Sequence, residues 1–281
     1  MRIFVTGAAG QLGRDLVDHC RSVGDEVVAA DRNVLDITDR AAVLHAVSSS
    51  RPDVVVNTAA YTAVDACETD EEAARLVNAT AVGHLAVASA DVGAHLVHVS
   101  TDYVFDGTLD RPYREDDTPN PMSAYGRTKL AGEVAAGPDA SVARTSWVCG
   151  EHGNNMVTLI LRLAGEGREL AFVDDQRGCP TFTVDLAPAL RRLAVDRCPG
   201  VHHLTNQGVV SWYDFVREIL SAAGHDPAVV RPITTAELDP PRPAPRPANS
   251  VLDNAVWRDA GLPMLRDFRA PLAELVAVLS A

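Results

Sequence analysis

Short apolar runs alternate with stretches of helical spacing along the first 150 residues. Arg2–Thr6 reads as a strand, and the glycine-rich segment Gly7–Gly13 follows it. Gln11–Val23 is amphipathic and predicts a helix that ends near Gly24. Glu26–Ala30 predicts a second strand, and Arg40–Ser49 a helix entered by a turn at Asp36. Asp53–Asn57 has an unbroken apolar centre, as expected of a parallel strand buried on both faces. A long helical pattern over Glu71–Val92 leads to a strand at His95–Ser100. A helix then carries Tyr125 and Lys129 to about Ala136, and Ser141–Thr145 is the next strand. Strands alternating with helices predict an α/β fold with a doubly wound parallel (Rossmann) sheet.

Beyond Trp147 the elements shorten and mix. Helices are expected at Met156–Glu166, Asp185–Asp196 and Trp212–Ala223, and strands at Glu169–Val173 and Val201–Leu204. The expected organisation is a dinucleotide-binding domain of residues 1–150 plus about 182–205. Residues 151–181 and 206–281 would then form a smaller mixed α/β substrate-binding domain. The proline-rich stretch Pro240–Pro247 cannot be helix interior or central strand. It reads either as a stiff surface loop or as a lid presenting Arg242 and Arg246.

Composition narrows the class. Apolar residues make up 47% and charged residues 22% of the 281, as in globular proteins. No apolar run reaches the length of a membrane span and no signal peptide is visible, so a cytoplasmic location and no membrane partner are expected. Five widely spaced cysteines without a Cys-x-x-Cys predict reduced thiols. A net charge of −13 without a basic block argues against nucleic acid. It also means that an anionic ligand must be held by local devices: helix N-termini, backbone amides and a few arginines.

Candidate chemistry lies at strand ends. Gly7, Gly10 and Gly13 sit between the first strand and the first helix, with Gln11 and Leu12 among them. Such glycines permit the turn, the approach of a pyrophosphate and close helix packing. Asp31 closes the second strand, where a carboxylate can accept from ribose hydroxyls and favour NAD; Arg32 could meet a 2′-phosphate and favour NADP. Asp36, with Ile37 beside it, is placed for the adenine or for a cap. Ala59 and Ala60 are small residues where a strand end would pass the cofactor. Ser100 and Thr101 end the fourth strand, and a hydroxyl there can bind a substrate carbonyl; Thr101 is the first choice and Ser100 the fallback. Tyr125 and Lys129 are spaced i, i+4 on one helix face, and an ammonium beside a phenol is expected to lower the tyrosine pKa.

These motifs resemble the extended short-chain dehydrogenase/reductase superfamily. The segments 57–65, 100–107, 125–133, 144–148, 175–181 and 246–250 are similar to its dTDP-4-dehydrorhamnose reductase branch. The resemblance implies reduction of the C4 ketone of a dTDP-4-keto-6-deoxyhexose by NADPH or NADH. It implies Tyr125 as proton donor, Lys129 at the nicotinamide ribose, and Thr101 on the sugar oxygen. Asp102, Trp147, Asn155 and Arg246 would face the nucleotide sugar. Related dehydratases carry Thr-Asp-Glu at this strand end; here Tyr103 replaces the glutamate, which favours simple reduction. A ketoreductase of another deoxysugar, a non-catalytic NADP-binding regulatory subunit, and an epimerase or dehydratase holding NAD⁺ remain alternatives. Some members of the branch are dimers with magnesium at the interface. No dedicated metal site is identified here, and Asp15 is only a weak candidate.

Overall fold

The computed structural model describes residues 1–166 and 169–280. The first part of the chain runs through β1 (Arg2–Thr6), α1 (Gln11–Ser22), β2 (Glu26–Ala30), α2 (Arg40–Ser50) and β3 (Val54–Asn57). It continues through α3 (Val64–Thr69), α4 (Glu71–Arg75), α5 (Ala81–Val92), β4 (His95–Thr101), α6 (Ala124–Ala136) and β5 (Ser141–Thr145). The second part holds β6 (Val148–Cys149), α7 (Met156–Gly165), β7 (Leu170–Val173), β8 (Arg177–Gly178), β9 (Thr181–Phe182) and α8 (Thr183–Asp196). After these come β10 (Gly200–His203), β11 (Val210–Ser211), α9 (Trp212–Ala222), β12 (Val230–Ile233), α10 (Ala255–Asp259) and α11 (Arg269–Leu279).

Six strands form one parallel sheet in the order β10-β5-β4-β3-β1-β2. The centres of β1, β2 and β3 are apolar because both faces of the sheet are covered. Ile3, Val5, Val54, Val56 and Val97 pack on α1 and α8; Phe4, Val55, Leu96 and Val142 point the other way, onto α2 and α5. Each such buried side chain contributes about 1.5–3 kcal/mol. A separate apolar cluster, including Val157, Ile160, Phe182, Phe215 and Phe268, unites α7, α9 and α11.

Some elements differ from the expectations. The helical pattern over 71–92 is broken by a π turn at Leu76–Thr80. There the Asn78 side chain accepts from Tyr61 N at 2.8 Å and donates to Thr128 Oγ1 at 3.1 Å. Helix α8 begins at Thr183, not Asp185, and tolerates Pro188 in its interior. Helices α3, α10 and α11 and strand β12 carry too short or too irregular a pattern to be expected from periodicity.

Candidate active site

The strand order reverses between β1 and β3, and the carboxyl ends of the strands there open onto a cleft. Three adjoining cavities make it up. The first, 540 Å³, is bounded by Gly7, Gly10, Asp31, Arg32, Asp36, Ile37, Ala59 and Ala60. The second, 490 Å³, shares Gly10 and Ala60 with it and holds Gln11, Leu12, Thr101, Asp102, Tyr125, Lys129 and Trp147. The third, 220 Å³, shares Tyr103 and Trp212 with the second and holds Arg242 and Arg246.

The first cavity has the shape of a dinucleotide cradle. Gly7 has a φ of +68°, and a Cβ there would lie 2.7 Å from Ala59 N. A Cβ on Gly13 would lie 2.2 Å from the Gly7 carbonyl. Only glycine lets β1, its loop and α1 come this close, and the loop then presents the start of α1 to an anion. Asp31 Oδ1 accepts from Asn33 N at 2.7 Å and Val34 N at 3.1 Å, which closes a tight turn at the end of β2. Asp36 Oδ1 accepts from Thr38 N and Oγ1 at 2.9 and 2.7 Å, so it pins its own loop, while Asp39 caps α2. These residues fit a nicotinamide dinucleotide.

Helix α6 carries the chemistry into the second cavity. Ser123 caps it by accepting from Gly126 N at 3.1 Å. Two glycines seat it: a Cβ on Gly126 would lie 2.2 Å from the Tyr103 carbonyl, and one on Gly132 2.0 Å from the Asn78 carbonyl. The Tyr125 phenol faces Thr101 in this cavity, and Thr101 Oγ1 donates to Asp102 Oδ1 at 2.9 Å. Burial pushes the Tyr125 phenol above its ordinary range. The i, i+4 spacing predicts a lowered value; burial outweighs it, and Asp102, Tyr103 and Cys67 add in the same upward direction. A neutral phenol is the state that a proton donor requires.

Ser100 donates to Glu133 Oε1 at 2.5 Å, and Glu133 pairs with Arg144 at 2.7 Å in a buried network. The fallback hydroxyl is thereby engaged behind the site, which ties β4 and β5 to α6. Asp102 is 2% exposed, with Oδ2 unpartnered, and desolvation raises it to about 6.

Trp147 adopts a φ of +46° and stacks on Trp212, with centroids 3.5 Å apart. Gly178 makes room for the indole, since a Cβ there would lie 2.6 Å from the ring. Left-handed backbone at a bulky residue is strained and is held here by this packing. Arg246 lies at the far end of the cleft, in an ion pair with Asp65 of α3, while Arg242 is 3.5 Å from the same carboxylate. Asn155 differs from its expected role. It caps α7 in a capping box with Thr158, and its Nδ2 donates to Gln11 Oε1 and the Gly150 carbonyl at 2.7 and 2.8 Å. Its neighbour Asn154 lines the cleft instead.

Trp212 and Gly178 escaped sequence reasoning. Trp212 opens a helix like any amphipathic aromatic, and Gly178 lies in a two-residue strand. No local pattern signals that they meet Trp147. Asp15 lies by a separate 530 Å³ cavity between α1, α8 and α11 that shares no lining residue with the cleft. Its polar neighbour is His152 at 3.9 Å. No group of three or more metal-ligating side chains occurs among the described residues.

A parallel α/β sheet, a glycine cradle and a Thr–Tyr–Lys group at one cleft define a class: nicotinamide-dependent oxidoreductases of the short-chain dehydrogenase type. Within it, the chain belongs to the family described as RmlD substrate binding domain, which matches residues 1–281. It is 48% identical to a probable dTDP-4,6-dihydroxy-2-methyloxan-3-one 4-ketoreductase of Streptomyces antibioticus, covering 98% of this chain and 94% of that one. It is 46% identical to a dTDP-4-dehydrorhamnose reductase of Streptomyces griseus, covering 97% and 92%. The crystal structure of dTDP-4-dehydrorhamnose reductase from Bacillus anthracis in complex with NADP superposes with a TM-score of 0.94, at 34% identity and 99% coverage of both chains.

Proposed function

We propose that the chain reduces the C4 ketone of dTDP-4-dehydro-6-deoxy-L-mannose to give dTDP-L-rhamnose, with NADPH preferred over NADH. The observation that carries the reading is the meeting of Thr101, Tyr125 and Lys129 in the cavity next to the glycine cradle. Gly7, Gly10 and the first turn of α1 would hold the pyrophosphate, and Lys129 the ribose next to the nicotinamide. A reduced nicotinamide bound there would supply a hydride to C4. Tyr125 gives its Oη proton to the oxygen of the former carbonyl, and Thr101 holds that oxygen by a hydrogen bond as charge develops on it. Trp147 and Trp212 exclude water from the sugar face.

The preference for NADPH rests on Arg32. Asp31 is engaged in its own turn, whereas Arg32 lines the adenosine end of the cleft. Its guanidinium suits a 2′-phosphate. Residues 1–150 with 182–205 would hold the cofactor, and 151–181 with 206–281 the sugar nucleotide. Five free cysteines accord with a reducing cytoplasm.

The resemblance to the Streptomyces antibioticus 4-ketoreductase favours a second reading, with the same chemistry on another dTDP-deoxysugar. The test is oxidation of NADPH at 340 nm with enzymatically generated dTDP-4-dehydrorhamnose, with NADH in parallel. Turnover to dTDP-L-rhamnose is the expected result. Tight NADPH binding without turnover of this sugar, but with turnover of another dTDP-4-keto sugar, would replace the first reading by the second.

A further inference from the structure

The chain contains a single lysine among its 25 Lys and Arg residues, and that lysine is Lys129. It is 2% exposed. Its Nζ donates to the Val99 carbonyl at 2.6 Å and lies 3.5 Å from His98 Nε2. His98 is on β4, the strand that ends in Thr101, and is fully buried.

The partners of His98 fix where its proton sits. Asn57 Oδ1 accepts from the Ala59 backbone N–H at 3.1 Å and from Thr6 Oγ1 at 2.6 Å. A backbone amide can only donate, so the Asn57 side chain must turn its Nδ2 towards His98. That Nδ2 lies 3.0 Å from His98 Nδ1. Nδ1 therefore accepts, and a neutral ring carries its proton on Nε2. Burial and the nearby Lys129 keep the ring neutral. The Nε2–H thus faces the Lys129 amine. Two donors cannot hydrogen-bond each other, and the positive end of an N–H dipole opposes a positive charge on the amine.

We propose that His98 is a positioning residue for the ketoreduction, acting through Lys129: its locked Nε2–H tautomer disfavours the ammonium and so sets the upper pH at which Lys129 keeps its charge. The catalytic part of this inference rests on the reading under Proposed function. Other groups at this end of α6 do not duplicate the effect. Glu133 favours the ammonium but is held by Arg144 of β5 and Ser100 of β4. Tyr125 lies one turn earlier on α6, Asp102 and Tyr103 lie on the turn after β4, and Cys67 comes from α3. The π turn brings only Asn78, engaged with Tyr61 and Thr128. The row Thr6–Asn57–His98 ends in a buried amide and a buried hydroxyl, so it acts as a bracket and not as a proton path.

The single lysine makes the test direct. Protein carrying [13Cε]lysine and [15N]histidine is titrated by NMR between pH 5 and 10, alongside H98Q. In H98Q the side-chain amide reaches the place of Nε2 and can present its oxygen to the ammonium. The wild type should show a neutral Nε2–H imidazole for His98 and a depressed Lys129 midpoint. H98Q should raise that midpoint by about 0.5 pH unit or more, the scale of one hydrogen bond. The alkaline limb of kcat should move up with it at saturating NADPH. An Nδ1–H tautomer, an imidazole that titrates in this range, or a folded H98Q with an unchanged Lys129 midpoint would each overturn the proposal. Should H98Q not fold, the wild-type tautomer alone decides. Absence of turnover by the wild type on any dTDP-4-keto sugar would refute the proposed reaction, while the NMR arms still read the coupling of His98 to Lys129.

Discussion

Tyr125 and Arg32 illustrate two kinds of side-chain contribution. Tyr125 is held as a neutral phenol against Thr101. Tyr125→Phe removes the proton and little volume. Stopped-flow and steady-state assays should show kcat lower by roughly 10²–10⁴-fold, the range for a lost general acid. NADPH affinity by fluorescence titration should change less than about twofold, since the phenol lies outside the glycine cradle. A variant with wild-type turnover would disprove the assignment. The role proposed for Arg32 is in binding instead. Arg32→Ala should lower kcat/KM for NADPH by about tenfold or more, as expected for a charge-assisted contact. The value for NADH should stay nearly constant. Equal losses with both cofactors would place the arginine elsewhere. These two residues were visible as candidates because Tyr125 stands four positions before Lys129 on one helix and Arg32 directly follows the end of β2. The role of Asn155 was not: a residue at a helix start suits a ligand or a cap equally. The capping box and the bond to Gln11 settle it only in three dimensions.

At the scale of elements, the seating of α6 decides where the reacting groups lie. Its glycines admit the Tyr103 and Asn78 carbonyls at distances that no Cβ would permit. The π turn at Leu76–Thr80 is part of that fit, because it carries the Asn78 carbonyl against Gly132. Gly132→Ala should push the helix off the turn. Overpacking of this kind costs about 1–3 kcal/mol, which corresponds to a Tm lower by roughly 2–10 °C in a chain of this size. The kcat should fall more than KM for NADPH rises, since Tyr125 and Lys129 ride on the displaced helix. Calorimetry and kinetics on the same preparation check both. An unchanged Tm would mean that the π turn yields instead. Sequence periodicity could not reveal the turn, because the segment before it is too short to fix the phase of an apolar stripe.

At the scale of the whole molecule, a few polar ties bridge the cofactor side and the substrate side of the cleft. Gln11 Nε2 donates to the Val148 carbonyl at 2.9 Å, and Arg246 grips Asp65 across 181 positions of sequence. The guanidinium holds the Asp65 carboxylate down to about 2. A depressed carboxylate stabilises the fold above its ordinary pKa near 4, and that contribution is lost as pH falls from about 4 to about 2. Near-UV circular dichroism should therefore show the tertiary signal loosening in that window, and Asp65→Asn should flatten the response. The same variant should raise KM for the sugar nucleotide by roughly fivefold while kcat holds, because the 240–247 loop loses its anchor on α3. A KM unchanged by the substitution would make the pair a surface tie only. The sequence by itself determined the doubly wound sheet, the glycine cradle and the Tyr125/Lys129 pair, because local periodicity and fixed spacing encode them. Only the tertiary structure decided that Trp147 stacks on Trp212, that Asp65 holds Arg246, and that His98 is locked against Lys129. Each of these contacts joins residues from separate elements, and their meeting depends on packing that no local pattern records.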